Sequence, residues 1–213
     1  WNEDNVLSDW SSPASFTVAV THAKLSELVR PTSVSGKVQY VEGKIGQAIR
    51  FDGAEVSALD YEGLRSTKGT AISAWIKPER IIGGWQCIYR KEDGARRLLA
   101  IGQEGPFWGV WSGFVINGRY IEYGAPFDRK ILGDGQWHHL AASYDGTELA
   151  LYVDRRSIGK KPIRGSLGSG GDAPAYLGSY QGNSERFHGA IDDLRVYDRG
   201  LTQAEVVALA TAN

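Results

Sequence analysis

The chain has 213 residues, 42% of them hydrophobic and 11% aromatic, which is enough apolar surface for one packed core and too much for a disordered chain. Its 24 Lys and Arg balance 25 Asp and Glu to a formal charge of −1, and the basic pairs Arg96-Arg97, Arg155-Arg156 and Lys160-Lys161 are scattered, so neither nucleic acid nor a membrane is an expected partner. No apolar run nears the ~20 residues of a membrane helix, and the lone Cys87 excludes an internal disulfide or a cysteine zinc site.

The sequence opens on Trp1 and contains no Met, which reads as loss of an upstream segment. Residues 1–37 are irregular: FTVAVTHA from Phe16 is a strand candidate, AKLSELV a helical turn, and 31–36 a loop. TAISAWIKP (70–78) alternates, with Ile72, Ala74 and Ile76 on one face and Ser73, Trp75 and Lys77 on the other, as in a half-buried strand. Two β-like segments, 85–90 and 97–101, flank the turn residues Glu92-Asp93-Gly94. Asn117-Gly118 between apolar runs predicts a type I′ hairpin, because both residues accept positive φ. A second hairpin joins 136–144 to 147–154 through Asp145-Gly146, and a last strand covers 187–197. Helix is expected only in TQAEVVALA (202–210), where Thr202 and Glu205 form a capping box. Glycine, at 27 residues against a usual ~7%, sits between these segments as turn chemistry. The pattern predicts an all-β chain, a β-sandwich or jelly roll of antiparallel sheets with a short C-terminal helix, in one domain over 1–213.

Four blocks, GKIGQAIRFDG (43–53), TAISAWIKP (70–78), LGDGQWHHLAASYDGTELALYVD (132–154) and FHGAIDDLRVYDRGLTQAEV (187–206), resemble the LamG-like jelly-roll domains of the concanavalin A-like lectin/glucanase superfamily. The resemblance leaves residues 1–42 unmatched, and Asp154-Arg155 stands where the family usually has Asp-Gly, so an altered turn is expected there. It implies a jelly roll serving as a carbohydrate-binding module, an adhesion module or a spacer, and fold alone does not choose among these.

A retaining glycosidase needs two carboxylates ~5–5.5 Å apart, which related glucanases set as Glu-x-Asp-x-Glu on one strand face. That spacing is missing here, and the neighbours Asp192 and Asp193 point to opposite faces of a strand. His138 and His139 diverge for the same reason, and His22 and His188 have no paired ligand at metal-binding spacing. No catalytic residue is therefore assigned. The two-residue loop at Asn117-Gly118 sets Ile116 opposite Arg119, Val115 opposite Tyr120, Phe114 opposite Ile121 and Gly113 opposite Glu122. One face then carries Trp108, Val110, Phe114, Ile116, Ile121 and Phe127 as core. The other carries Trp111, Tyr120 and Glu122 beside Gly109 and Gly113, a surface suited to sugar: rings for C–H faces, polar groups for hydroxyls, and glycines for room. Gln86 and Arg90, on the face of their strand opposite Cys87, are expected to line it.

Related jelly rolls hold a structural calcium ion near the motifs containing Asp52 and Asp192. Asp192 falls in the row of Ala190, Leu194 and Val196, where a lone carboxylate is costly, so a calcium ion shared by Asp52 and Asp192 is expected, a salt bridge or turn cap being the alternative. The resulting expectation is a non-catalytic carbohydrate-binding or adhesion module of a larger secreted, periplasmic or cell-surface protein. Its expected partners are a glycan or polysaccharide and neighbouring domains. The alternatives are a glycoside hydrolase or lyase of the same fold and a structural or protein-interaction module.

Overall fold

A computed structural model describes residues 18–21, 27–28, 31–35, 39–52, 55–59, 66–169, 171 and 173–211. In chain order the elements begin with β1 (Val18–Thr21), β2 (Glu27–Leu28), β3 (Pro31–Ser35), β4 (Gln39–Glu42), β5 (Gln47–Asp52) and β6 (Glu55–Leu59). There follow β7 (Thr70–Pro78), β8 (Gln86–Lys91), β9 (Arg97–Glu104), β10 (Phe107–Ile116), β11 (Arg119–Pro126) and the single turn α1 (Arg129–Leu132). The remainder are β12 (His138–Tyr144), β13 (Glu148–Val153), β14 (Arg156–Pro162), β15 (Ala175–Leu177), β16 (His188–Tyr197) and α2 (Gln203–Leu209).

Two sheets form the expected jelly-roll sandwich. One runs β11-β10-β9-β8-β15-β6-β3, and the other runs β14-β13-β12-β7-β16. Beyond β16 that second sheet divides its edge: β5 pairs antiparallel with 188–191, and β1 pairs parallel with 194–197. The predicted loop at 31–36 is instead the edge strand β3, where Pro31, as the first residue of an edge, removes no interior ladder bond. Of the two other early expectations, β1 covers part of FTVAVTHA, and β2 replaces part of the helical turn; the rest of both lies outside the described residues.

The core lies between the sheets. Ile72, Ala74 and Ile76 of β7 point inward as expected and meet Leu140, Leu151, Val110, Phe114 and Ile116 in one cluster. The outward face of β7 is covered too, with Ser73 at 1% and Trp75 at 5% exposure, so the strand is buried on both sides. At one end of that face α2 provides the cover, its Val206, with Leu201 just before the helix, packing on Ala71, Ala141, Tyr152 and Tyr197, and at the other His139 lies edge-on to Trp75. Ser143 fixes that docking by accepting from the Leu201 N–H at 2.8 Å. Thr202 and Glu205 make the predicted capping box, and the α1 turn, which the sequence reading passes over, is capped by Asp128.

The hairpin at Asn117-Gly118 has φ of 51° and 73° and the predicted register from Ile116↔Arg119 to Gly113↔Glu122. Asp154-Arg155 builds the same two-residue turn, with φ of 46° and 76°, so the turn type survives without glycine and Arg155 carries the left-handed strain. Asp154 justifies its place by accepting from the His139 N–H at 2.9 Å.

Candidate functional site

The outer face of the seven-stranded sheet takes its character from small residues beneath large ones. Trp111 pairs with Gly124 across β10 and β11, and a Cβ built on Gly124 would lie 2.3 Å from the indole, so the ring lies flat over bare backbone. Tyr120 covers Gly113 in the same way, at 2.3 Å. Phe107 stacks on Trp111 with centroids 5.1 Å apart and planes within 2°, and Trp85 leans on it at 5.2 Å. Trp111 is thereby left 8% exposed, with its indole N–H donating to the Gly102 carbonyl at 3.0 Å. It lies on the predicted face, yet beneath other rings. The half-buried Trp85 and Phe107 present aromatic surface in its stead.

A ladder of charge and ring continues across this face. The Arg90 guanidinium lies 3.9 Å over Tyr180, and that of Arg96 lies 3.8 Å over Tyr120. Glu92 bridges the two arginines, Arg90 also meets Glu185 at 2.8 Å, and the Tyr120 hydroxyl donates to Glu122 at 2.7 Å. Burial pushes the Glu122 carboxyl up, and burial together with the Glu122 carboxylate pushes the Tyr120 phenol up, keeping it a proton donor. Each carboxylate here has a cation or a phenol as partner: Glu92 and Glu185 with arginine, Glu122 with tyrosine.

Gln86 and Arg90 do not share a face as expected. A bulge between Cys87 and Tyr89 turns both Ile88 and Tyr89 into the core, which moves Arg90 to the side of Cys87. Gln86 is fully buried, accepting from the Ile82 N–H and donating to the Arg80 carbonyl, both at 3.1 Å, and so it staples a loop and does not reach this surface. Cys87 is buried as read, its thiol donating to Glu185 at 2.9 Å. Of the contributors that sequence reasoning missed, Phe107 and Gly124 were legible from strand alternation about Trp111. Arg96, Tyr180 and Glu185 come from loops and carried no such signal.

A second bulge changes the row in which Asp192, one expected calcium ligand, was placed. Asp193, at φ 44°, breaks the alternation of β16, so Leu194 and Val196 join Ile191 in the core while Ala190 and Asp192 face outward. Asp52 is paired with His188, four residues from Asp192 along β16, a backbone separation of about 13 Å at ~3.3 Å per residue. Among the described residues no three His, Cys, Asp or Glu converge on a metal position. Asp192 instead accepts backbone N–H bonds from Ile45 and Asp193, each at 2.7 Å, as the turn cap held in reserve, although burial still lifts its carboxyl to about 6.

The two histidines diverge as read. His139 packs edge-on to Trp75 at 5.2 Å, and burial lowers its imidazole to about 4. His138 is clamped by Asp154 at 2.7 Å and Asp134 at 3.0 Å, and these hydrogen bonds raise its imidazole. A raised histidine stabilises fully below its unfolded value near 6.5 and loses that contribution as pH climbs through the folded one. The clamp's own contribution to the unfolding free energy should therefore be lost as pH rises above about 6.5, and it is read as the difference in pH slope between wild type and a variant without the imidazole. His138→Gln should flatten that slope in urea titrations, and an unchanged slope would refute the clamp.

No helix among the described residues is long and apolar enough to cross a membrane. Pentraxin-4 of Homo sapiens is 28% identical over 154 residues, covering 67% of this chain and 31% of pentraxin-4, so the chain spans about a third of that relative. Domain 4 of AbnA, an extracellular GH43 arabinanase of Geobacillus stearothermophilus solved with arabinotriose, superposes with a TM-score of 0.62 at 26% identity, over 86% of this chain and 85% of that domain. The binding domain of Paraclostridial Mosquitocidal Protein 1 superposes with a TM-score of 0.68 at 17% identity, over 97% of this chain and 52% of that one, a likeness of fold. A family model for the concanavalin A-like lectin/glucanases superfamily matches residues 51–207, from the end of β5 into α2, and with the jelly roll above it shows that the chain belongs to that superfamily.

Proposed function

We propose that this chain is a non-catalytic carbohydrate-binding module of a secreted or surface protein, holding a neutral oligosaccharide on the outer face of the seven-stranded sheet. The observation that carries the reading is the aromatic row Trp85, Trp111 and Phe107 beside the Tyr180–Arg90–Glu92–Arg96–Tyr120–Glu122 ladder. Rings there offer stacking surface, and Arg90, Glu122 and Tyr120 offer fixed donors and acceptors for hydroxyls. The likeness to an arabinanase domain solved with arabinotriose supports the ligand class. The absence of hydrolysis is supported by the partners of Glu92, Glu185 and Glu122, which tie each carboxylate to another group.

Calorimetric titration with arabinotriose and longer arabinan, galactan and glucan oligosaccharides tests this. Binding should be weak, at ~µM to mM Kd, and Trp85→Ala or Tyr180→Ala should each weaken it roughly tenfold at a temperature where the variant is still fully folded. No binding to any neutral oligosaccharide, or binding that ignores both variants, would reject the site. Release of reducing ends or unsaturated products above a heat-killed control would reject the non-catalytic reading.

A further inference from the structure

The opposite sheet holds a second recess that the first site does not use. Strand register aligns Arg50 of β5, Ala190 of β16 and Lys77 of β7 in one cross-strand row, and Trp137, one residue before β12, extends it. The middle member of the row is an alanine, so the taller side chains on either side leave a cleft of about 570 Å³, within the size range of small-molecule sites. Its end is closed by the β4–β5 turn, which is fixed rather than loose. Gly43 lies so close to Asp192 that a Cβ there would come within 2.5 Å of the carboxylate, and the Ile45 N–H anchors the turn to the same group at 2.7 Å. Lys44, carried by that turn, rests its ammonium 5.2 Å from the Trp75 ring centroid.

Charge decides what such a cleft would take. Arg50 forms a two-pronged pair with Glu79, at 2.6 and 2.7 Å, and Lys77 adds a weaker attraction to the same carboxylate, which leaves the three cations of the lining, Arg50, Lys44 and Lys77, against two acids. Lys44 and Lys77 have no carboxylate within ion-pair distance among the described residues, and the lining contains one other acid, the exposed Glu42 at the mouth. Two ammoniums beside a half-buried indole and a small apolar floor match a sugar ring that bears a carboxylate.

We infer that this cleft binds an acidic saccharide, its ring against Trp137 and its carboxylate between Lys44 and Lys77. The site is independent of the neutral-sugar face, since the two lie on different sheets.

Titration of the full chain with trigalacturonate, followed by calorimetry and backbone amide shifts, tests the inference. Binding should shift amides around 43–46, 77 and 137, weaken several-fold as ionic strength rises from about 0.05 to about 0.5 M, and drop roughly tenfold or more in the double variant Lys44→Gln, Lys77→Gln. Both lysines are partly exposed, so that variant should melt as wild type does; Lys77→Glu provides a second test that reverses one charge. Trp85→Ala should leave trigalacturonate binding unchanged, which separates this site from the other. The inference is overturned by absence of binding, by equal binding of the neutral trisaccharide at the same amides, or by indifference to both lysine variants. Equal affinity for a sulfated trisaccharide would overturn the carboxylate assignment in favour of unselective anion attraction.

Discussion

Trp111→Ala is expected to lower the unfolding free energy by about 3–5 kcal/mol, the cost of emptying a buried tryptophan site. The indole is 8% exposed, stacked by Phe107, leaned on by Trp85 and hydrogen-bonded to the Gly102 carbonyl, so the truncation removes packing on several sides and strands a carbonyl acceptor. Urea unfolding of the purified variant measures this directly. A loss under about 1 kcal/mol would mean that the ring is peripheral, and the aromatic row would then need to be rebuilt around another residue. For ligand studies the expected result also makes Trp111 a poor probe, because the variant would lose binding together with structure. Trp85 and Tyr180 are the informative positions.

Gly124→Ala should destabilise by about 1–3 kcal/mol, although a strand ordinarily gains when glycine becomes alanine. The new methyl would sit 2.3–2.5 Å from three atoms of the Trp111 ring, which is pinned from above by Phe107 and cannot rise. In a Trp111→Ala background the obstacle is gone, and the same substitution should be neutral or mildly favourable. A double-mutant cycle therefore has a defined sign: the two losses do not add, and the coupling should be about 1–3 kcal/mol. Additive losses would show that Gly124 is required for its backbone and not for the ring that covers it.

The jelly roll was legible because its signals are local and periodic. Alternation in 70–78, a turn pair at 117–118 that sets the register of β10 and β11, and a capping box at 202–205 each have one physical reading, and the structure follows them. The errors cluster where a single inserted residue inverts the parity of a strand. Bulges at Ile88 and Asp193 put Arg90 on the side of Cys87 and Leu194 on the side of Ile191, and no composition rule marks either position. The exposure of Trp111 was equally hidden, because its cover comes from Phe107 on the same strand and Trp85 on a loop, and alternation names a face without saying what lies above it. The fate of Asp192 turned on backbone amides of a turn some 150 residues away, a partner that side-chain chemistry cannot announce.

The divided edge of β16 bears on where this unit can be cut. The matched family residues begin at 51, yet β5 and β1, which begin at Gln47 and Val18, supply the neighbours of 188–191 and 194–197. A version trimmed to the matched stretch would lose both and leave a ten-residue central strand with a row of unanswered N–H and C=O groups along one side. Such a border invites pairing with another chain. β1 and β5 thus act as a seam along that side of β16, and a version without them should self-associate more readily than the full chain.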